Sequence, residues 1–143
     1  TLKAKLINQN MFKTSLDFIK KNVKIKNKKV LVLGASYKED IFDLRLSPSM
    51  DLINSLMKHT KKVFLYDPFL EKNNKSKFLN KIPSLKNFDI IIFSNAHEQI
   101  KNISFKQFEK KAHYFDLNNV LSYKMINKFR ENKIKLRVLG DKK

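Results

Sequence analysis

Short apolar runs recur along this chain, and each is followed by polar or small residues. They are Val30–Leu33, Val63–Tyr66, Phe88–Phe93, His113–Asp116 and the alternating set Ile134, Leu136 and Val138. Continuous apolar character over such a length is typical of strands buried on both faces of a parallel sheet. The pattern therefore predicts about five strands, most of them parallel.

Apolar residues at helical spacing occur between these runs. The inward-facing sets are Phe12, Leu16, Ile19 and Val23; Met50, Ile53, Leu56 and Met57; Phe105 and Phe108; and Met125, Ile126 and Phe129. Amphipathic spacing of this kind predicts helices. They are an N-terminal helix, a helix that begins at Ser47–Pro48, and helices at Ser104–Lys111 and Tyr123–Glu131. Lys72–Lys81 is polar and is compatible with either a helix or a loop.

The order of these elements predicts the architecture. Strands that alternate with helices favour an α/β domain with a Rossmann-like, doubly wound and mainly parallel sheet, helices on both faces, and the N-terminal helix in front. Right-handed crossovers bring the carboxyl ends of the strands to one edge. Lys24–Lys29 is a short lysine-rich linker. We therefore assign residues 1–26 to the end of a preceding helix plus linker, and residues 27–143 to the domain.

A long polar loop follows the first strand. About a dozen residues separate Gly34 from Pro48, whereas a connection in an α/β unit usually needs only a few. The loop carries Tyr37, Lys38, Glu39, Asp40, Asp43 and Arg45. Ligands bind at this edge of open α/β sheets. An aromatic ring beside an ammonium group suits a base or sugar next to a phosphate, while the Asp43–Arg45 pair fits either a structural ion pair or an anion site.

Other strand ends bring further candidates to the same edge. His97 follows the third strand, either as an acid/base or phosphate partner or as a residue that caps or anchors its loop. Asp67 ends the second strand, where an acidic residue often binds the ribose of a dinucleotide. That interpretation fails because the turn after Gly34 lacks the pattern G-x-G-x-x-G. Asn118 follows the fourth strand.

Composition restricts the chemistry. The net charge of +18 invites a nucleic-acid interpretation, but the basic residues are almost all lysine and are scattered along the chain, as an AT-rich coding bias would give. We therefore disfavour a nucleic-acid partner.

The absence of cysteine excludes disulfides and thiolate chemistry. No metal-binding or catalytic residue is assigned, and the lack of an apolar run of membrane-spanning length leads us to expect no membrane partner and a cytoplasmic location.

Three segments of the long loop resemble a family signature. Gly34–Lys38, Asp43–Arg45 and Ser47–Pro48 match, in order and spacing, the pattern G-x-(A/S/T)-(F/Y)-K, D-x-R and S-P. This pattern opens the C-terminal domain of the UDP-glucose/GDP-mannose dehydrogenase family. Tyr66–Pro68 and Ala96–Glu98 also fit the family, and the resemblance covers roughly residues 27–143.

The resemblance implies the C-terminal domain of an NAD-dependent nucleotide-sugar 6-dehydrogenase. Such an enzyme oxidises the C6 alcohol of a UDP-sugar to a carboxylate through two hydride transfers. The family's catalytic cysteine and most NAD contacts belong to central and N-terminal Rossmann domains outside this chain, so the isolated fragment is expected to be inactive. The full enzyme is expected to be a homo-oligomer. By this resemblance, Tyr37 and Lys38 bind substrate, Arg45 binds NAD, and Asp43, His97 and Asn118 lie at the site's edge.

One position departs from the family, and two other functions stay open. Asn118 stands where the family has arginine, and an amide lacks the charge and the two-point anion binding of a guanidinium.

A chain that begins at Thr1 looks like a fragment, but a stand-alone nucleotide-sugar-binding or regulatory module would have the same site. The coding sequence upstream distinguishes the two. A nucleic-acid-binding domain would instead bind any duplex in a salt-dependent manner.

Overall fold

The computed structural model describes residues 13–35, 48–69 and 77–140. Within these ranges the α-helices are α1 (residues 13–22), α2 (Pro48–Leu56), α3 (Glu98–Lys101) and α4 (Tyr123–Glu131). The strands are β1 (Val30–Leu33), β2 (Val63–Tyr66), β3 (Phe78–Leu79), β4 (Ile90–Phe93), β5 (His113–Asp116) and β6 (Leu136–Val138). Single turns of 3₁₀ helix occur at Leu85–Asn87 and Phe105–Gln107.

The six strands lie parallel in one sheet, in the order β3-β2-β1-β4-β5-β6. Strand β1 is central, with Val30 opposite Val63 of β2 on one side and Ile90 of β4 on the other. The chain winds outward from β1 to β3, returns to β4, and winds outward again to β6. The direction reverses between β1 and β4. Their carboxyl ends therefore flank the crevice in which open α/β sheets bind ligands.

The sheet is covered on both faces, which explains why its strands are continuous apolar runs. One layer is mainly aliphatic and includes Ile19, Val30, Val32, Leu52, Ile53, Leu56, Ile90 and Ile92. The other is rich in aromatic rings, including Phe88, Phe93, Phe108, Tyr114 and Phe129. The rings of Phe108 and Phe129 lie 4.8 Å apart between centroids. Alternate residues of strands β1 to β5 thus supply the two layers, whereas β6 contributes Leu136 and Val138 to the aromatic layer alone.

The predicted α/β architecture and its strands are confirmed. The third strand begins at Ile90 rather than Phe88, and the last is limited to Leu136–Val138. The sheet also has a sixth strand, Phe78–Leu79, at the end of the stretch that the sequence left as a helix or loop. It pairs with β2 through only two residues, so it has no apolar run of its own to reveal it.

Some helix predictions differ from the structure. The helix expected at Ser104–Lys111 is wrong, because a single 3₁₀ turn ends at Gln107 and Phe108 has an extended backbone. The short helix α3 was not predicted. Met57, expected on the inward face of α2, lies beyond the helix end and is 37% exposed. The buried Leu52 contributes to that face instead.

His113 at the amino end of β5 is surrounded by positive charge. Burial lowers the pKa of its imidazole, and the charges of Lys135, Arg137 and Lys28 lower it further. The unfolded chain therefore takes up this proton near pH 6.5, whereas the folded chain does so only at lower pH. Because the unfolded state then binds more protons, the free energy of unfolding should fall as pH decreases below about 6.5.

Replacing this imidazole should flatten that part of the pH dependence. We expect His113→Gln to lose less thermal stability than the wild type between about pH 6.5 and pH 5, with a constant difference above about pH 7.5. The measurement is Tm against pH, with the exposed His59→Gln as a matched histidine control. Parallel curves for the wild type and His113→Gln would contradict the prediction.

Candidate functional site

The candidate site is the carboxyl edge of the sheet near the reversal between β1 and β4. Four strand exits meet there: Gly34–Ala35 after β1, Asp67–Phe69 after β2, Ser94–His97 after β4 and Asp116–Asn119 after β5. Parallel pairing brings these exits to one edge, although up to 80 or so residues separate them in sequence. Backbone groups and buried carboxylates hold the exits together.

Gly34 allows the exits of β1 and β4 to approach closely. Its φ is +95°, and a Cβ added there would lie 2.8 Å from the Cβ and 2.9 Å from the backbone nitrogen of Asn95. Ser49 on the first turn of α2 donates to the carbonyl of Gly34 at 3.3 Å, and its Oγ lies 2.7 Å from the Oγ of Ser94. The start of α2 is thus fixed to both strand ends.

The carboxylate of Asp67 connects three segments of this edge. It is fully buried, and its Oδ2 accepts from the backbone N–H of Ala35 at 2.8 Å. Its Oδ1 accepts from the N–H of Phe69 at 2.9 Å, and Oδ2 lies 3.3 Å from Nε2 of His97. Burial, and then the nearby charge of Asp67, raise the pKa of Tyr66. A carboxylate turned inward in this way does not meet a ribose, which agrees with the missing dinucleotide turn.

His97 lies at the start of α3, and only 6% of it is exposed. Its imidazole contacts Asp67 through Nε2, and its ring is edge-on to that of Phe69 with centroids 5.5 Å apart. Its carbonyl accepts from the N–H groups of Ile100 and Lys101 at 3.0 Å. These contacts fit the interpretation in which the histidine anchors its loop; a contact with substrate stays a prediction.

Asp116 organises the loop after β5 as Asp67 organises the loop after β2. It is fully buried, and its carboxylate accepts from the N–H groups of Asn118 at 3.2 Å and of Val120 and Leu121 at 2.9 Å. Asn119 takes the left-handed conformation with φ of 52°. The side chain of Asn118 is exposed at the edge. Asn118 is therefore presented on a firmly held turn.

The remaining predicted site residues lie outside the described residues. Tyr37, Lys38, Asp43 and Arg45 belong to the segment 36–47. Its two ends are described: Ala35 and helix α2 both lie at the carboxyl edge. The residues that flank this segment therefore lie at the edge that carries His97 and Asn118. Within the described ranges no group of three or more histidine, aspartate or glutamate side chains is arranged to hold a metal ion.

The sequence did not reveal the structural roles of Ser49, Asp67 and Asp116. A signal exists for the two carboxylates, since each ends a buried strand and is followed by turn-forming residues, proline in one case and asparagines in the other. Such a pattern indicates an aspartate that accepts hydrogen bonds from its own turn.

Comparison with known proteins decides the family. The model of the UDP-glucose/GDP-mannose dehydrogenase family, UDP binding domain, matches residues 31–137. The chain belongs to this family. The resemblance drawn from the signature residues is thereby confirmed, and the match covers the six described strands except Val30 at the start of β1 and Val138 at the end of β6.

Relatives within the family are dehydrogenases of nucleotide sugars. The chain is 31% identical to a UDP-N-acetyl-D-mannosamine dehydrogenase of Methanococcus aeolicus, over 99% of this chain and 33% of the relative. It is 30% identical to a UDP-N-acetyl-D-glucosamine 6-dehydrogenase of Salmonella typhi, over 72% of this chain and 26% of the relative. A solved UDP-N-acetyl-mannosamine dehydrogenase from S. aureus superposes with a TM-score of 0.60 and 26% identity, over 92% of this chain and 30% of that one.

The chain thus spans about a third of the length of the first of these relatives. Among the described residues, no helix is long and apolar enough to cross a membrane.

Proposed function

We propose that this chain is the C-terminal nucleotide-sugar-binding domain of an NAD-dependent nucleotide-sugar 6-dehydrogenase. The whole enzyme would oxidise the C6 alcohol of a UDP-sugar to a carboxylate. The observation that carries the proposal is the polar edge at the reversal between β1 and β4, in a domain that belongs to this family. The domain would comprise residues 27–143, with residues 1–26 as the end of a central-domain helix plus linker.

In this proposal the segment 36–47 supplies the main ligand contacts. Tyr37 supports the base or sugar with its ring, and Lys38 donates to a phosphate or hydroxyl oxygen. Arg45 reaches NAD across the cleft to the other domains, and Asp43 orients its guanidinium. The described residues on either side of the segment support this assignment, because Ala35 and Ser49 lie at the edge of the crevice.

His97 and Asn118 border the same site. The imidazole of His97 is held by Asp67, which suits a residue that shapes the rim. Asn118 offers a neutral amide where the family has arginine, so its contact with an anionic substrate would be weaker than that of a guanidinium. We infer that the cationic groups of the site carry a larger share of the phosphate binding in this protein than in relatives that have arginine at position 118.

NAD would be bound mainly by another domain. When bound, it accepts the hydrides released from the sugar. The described residues do not fit the adenosine half of the cofactor, because Asp67 is turned inward and occupied by Ala35, Phe69 and His97. The partners proposed for this chain are the UDP-sugar and the N-terminal Rossmann and central domains of the enzyme. The enzyme itself is proposed to be cytoplasmic and homo-oligomeric.

Lys38→Ala tests the assignment of the substrate site. A lysine that donates to a phosphate oxygen contributes on the order of 1.5–3 kcal/mol, so KM for the UDP-sugar should rise roughly tenfold or more in the complete enzyme. Steady-state kinetics with the sugar varied is the measurement. Lys58→Ala, at an exposed position beyond α2, is the matched control and should leave KM unchanged. An unaltered KM in folded Lys38→Ala would remove this lysine from the site.

A further inference from the structure

A cavity opens at the carboxyl edge of the sheet, between the exits of β4 and β5. It has a volume of about 310 Å³ and is lined by Ala96, Lys101, Asn119, Val120, Leu121, Ser122 and Met125. Ala96 belongs to the β4 exit and Asn119 to the β5 exit. Strands β4 and β5 are neighbours in the sheet, and β4 also flanks the crevice at β1. This β4–β5 cavity therefore extends the candidate site by one strand.

The chemistry of the β4–β5 cavity suits an anionic group. Among the described residues that line it, Lys101 is the charged one, while Asn119 and Ser122 add an amide and a hydroxyl. The buried part of the lining is apolar and consists of Val120 and Leu121. Asp116 lies close in sequence, but its carboxylate is fully buried and accepts from N–H groups of its own turn. The described lining thus combines a cation with neutral polar groups and contains no carboxylate.

The backbone of Lys101 is fixed by the same contacts that hold the candidate site. Lys101 is the last residue of α3, and its N–H donates to the carbonyl of His97 at 3.0 Å. The imidazole of His97 lies 3.3 Å from the buried carboxylate of Asp67. The ion pairs found among the described residues do not include Lys101, whose side chain is exposed. The residue is therefore held at its backbone, and no described carboxylate neutralises its ammonium group.

We propose that Lys101 binds a phosphate of the nucleotide sugar in the β4–β5 cavity, an assignment that rests on the function proposed above. The phosphates are the charged groups of a UDP-sugar, and an ammonium group forms strong hydrogen bonds with their oxygens. The amide of Asn119 and the hydroxyl of Ser122 can donate to the same oxygens. Lys101 thereby supplies, from the β4 side, the positive charge that Asn118 on the β5 turn lacks.

The test is steady-state kinetics of the complete enzyme, with the UDP-sugar varied and with UDP and uridine as competitive inhibitors. Lys101→Met keeps the length of the side chain and removes its charge. We expect KM for the UDP-sugar and Ki of UDP each to rise roughly tenfold, with kcat little changed. Uridine has no phosphate, so its Ki should stay within about twofold of the wild-type value.

Two further variants distinguish a phosphate contact from a structural role. Asn118→Arg, introduced into Lys101→Met, places a guanidinium on the turn of the β5 exit and should recover part of the lost affinity. A charge on the β5 turn would not replace a merely structural lysine. Lys106→Ala is the matched control, because it removes an exposed lysine that is not among the lining residues. It should change KM and Ki by less than about twofold, since exposed charges away from the ligand are screened.

Several results would overturn the proposal. An unchanged KM, or an unchanged Ki of UDP, in Lys101→Met that circular dichroism shows to be folded would remove the lysine from the phosphates. Equal weakening of UDP and uridine would place it at the base or ribose, and equal weakening by Lys106→Ala would show general charge attraction. If the wild-type enzyme oxidised no UDP-sugar, the proposed function would fail as well. Failure of this inference alone leaves an active enzyme in which Lys38→Ala still raises KM.

Discussion

Asp67→Ala is expected to destabilise the domain by about 3–6 kcal/mol, because three of the groups that contact this carboxylate each cost about 1–3 kcal/mol when left unsatisfied. Those groups are the N–H of Ala35, the N–H of Phe69 and Nε2 of His97. Such a loss approaches the whole stability of an ordinary domain. Asp67→Asn keeps one acceptor oxygen and should cost about half as much. Urea denaturation measures both free energies of unfolding.

A second aspartate provides the control. Asp89 also accepts from a backbone N–H, that of Lys29 at 2.9 Å, but it is exposed. Water can replace it there, so Asp89→Ala should cost no more than about 1 kcal/mol. If Asp67→Ala and Asp89→Ala were equally mild, the carboxylate of Asp67 would not hold the edge together.

Gly34→Ala is the second large effect that we expect. Its φ of +95° is strained for alanine, and the new Cβ would meet Asn95 at 2.8 to 3.0 Å, including two backbone atoms. Because backbone cannot yield as a flexible side chain does, the loss should be about 3–5 kcal/mol, of which conformational strain accounts for about 1–3. Under the function proposed above, the displaced β4 exit should also raise KM for the UDP-sugar in the complete enzyme.

The variant Gly140→Ala measures the cost of backbone strain without the cost of a steric clash. The φ of Gly140 is +84°, but nothing lies within 4 Å of an added Cβ. Gly140→Ala should therefore show the strain alone, about 1–3 kcal/mol. Comparison of the two variants by denaturation gives the cost of the collision. Equal losses would mean that the exits of β1 and β4 are not in close contact.

The strands could be predicted because both faces of the sheet are covered, which leaves a continuous apolar run at each strand. Phe78–Leu79 was not predicted because it is a strand of only two residues at the edge of the sheet, which is too short to form a recognisable apolar run. The error at Ser104–Lys111 has a related cause. Phe105 and Phe108 are three residues apart, which suits a single 3₁₀ turn as well as an α-helix, since such residues lie on one side in both.

The position of the candidate site followed from the sequence, but its internal supports did not. An aspartate at a strand end faces either a ligand or the protein backbone, depending on which N–H groups converge on it. For Asp67 one of those groups is 32 residues earlier in the chain. The spacing of residues in the sequence does not show that two groups so far apart in the chain come into contact. The missing glycine pattern did predict that Asp67 does not bind a ribose, and the inward contacts of its carboxylate agree with that prediction.

The central place of β1 bears on how the sheet assembles. Its two neighbours are residues 63–66 and 90–93, so the second partner emerges from the ribosome about 60 residues later. Until then β1 presents an unpaired apolar edge, which is a hazard for association with other chains. Pairings of such long sequence separation also close slowly. Among the described strands, β1 thus has the longest interval between its own synthesis and that of its second neighbour, and protection of nascent chains is most needed over this interval.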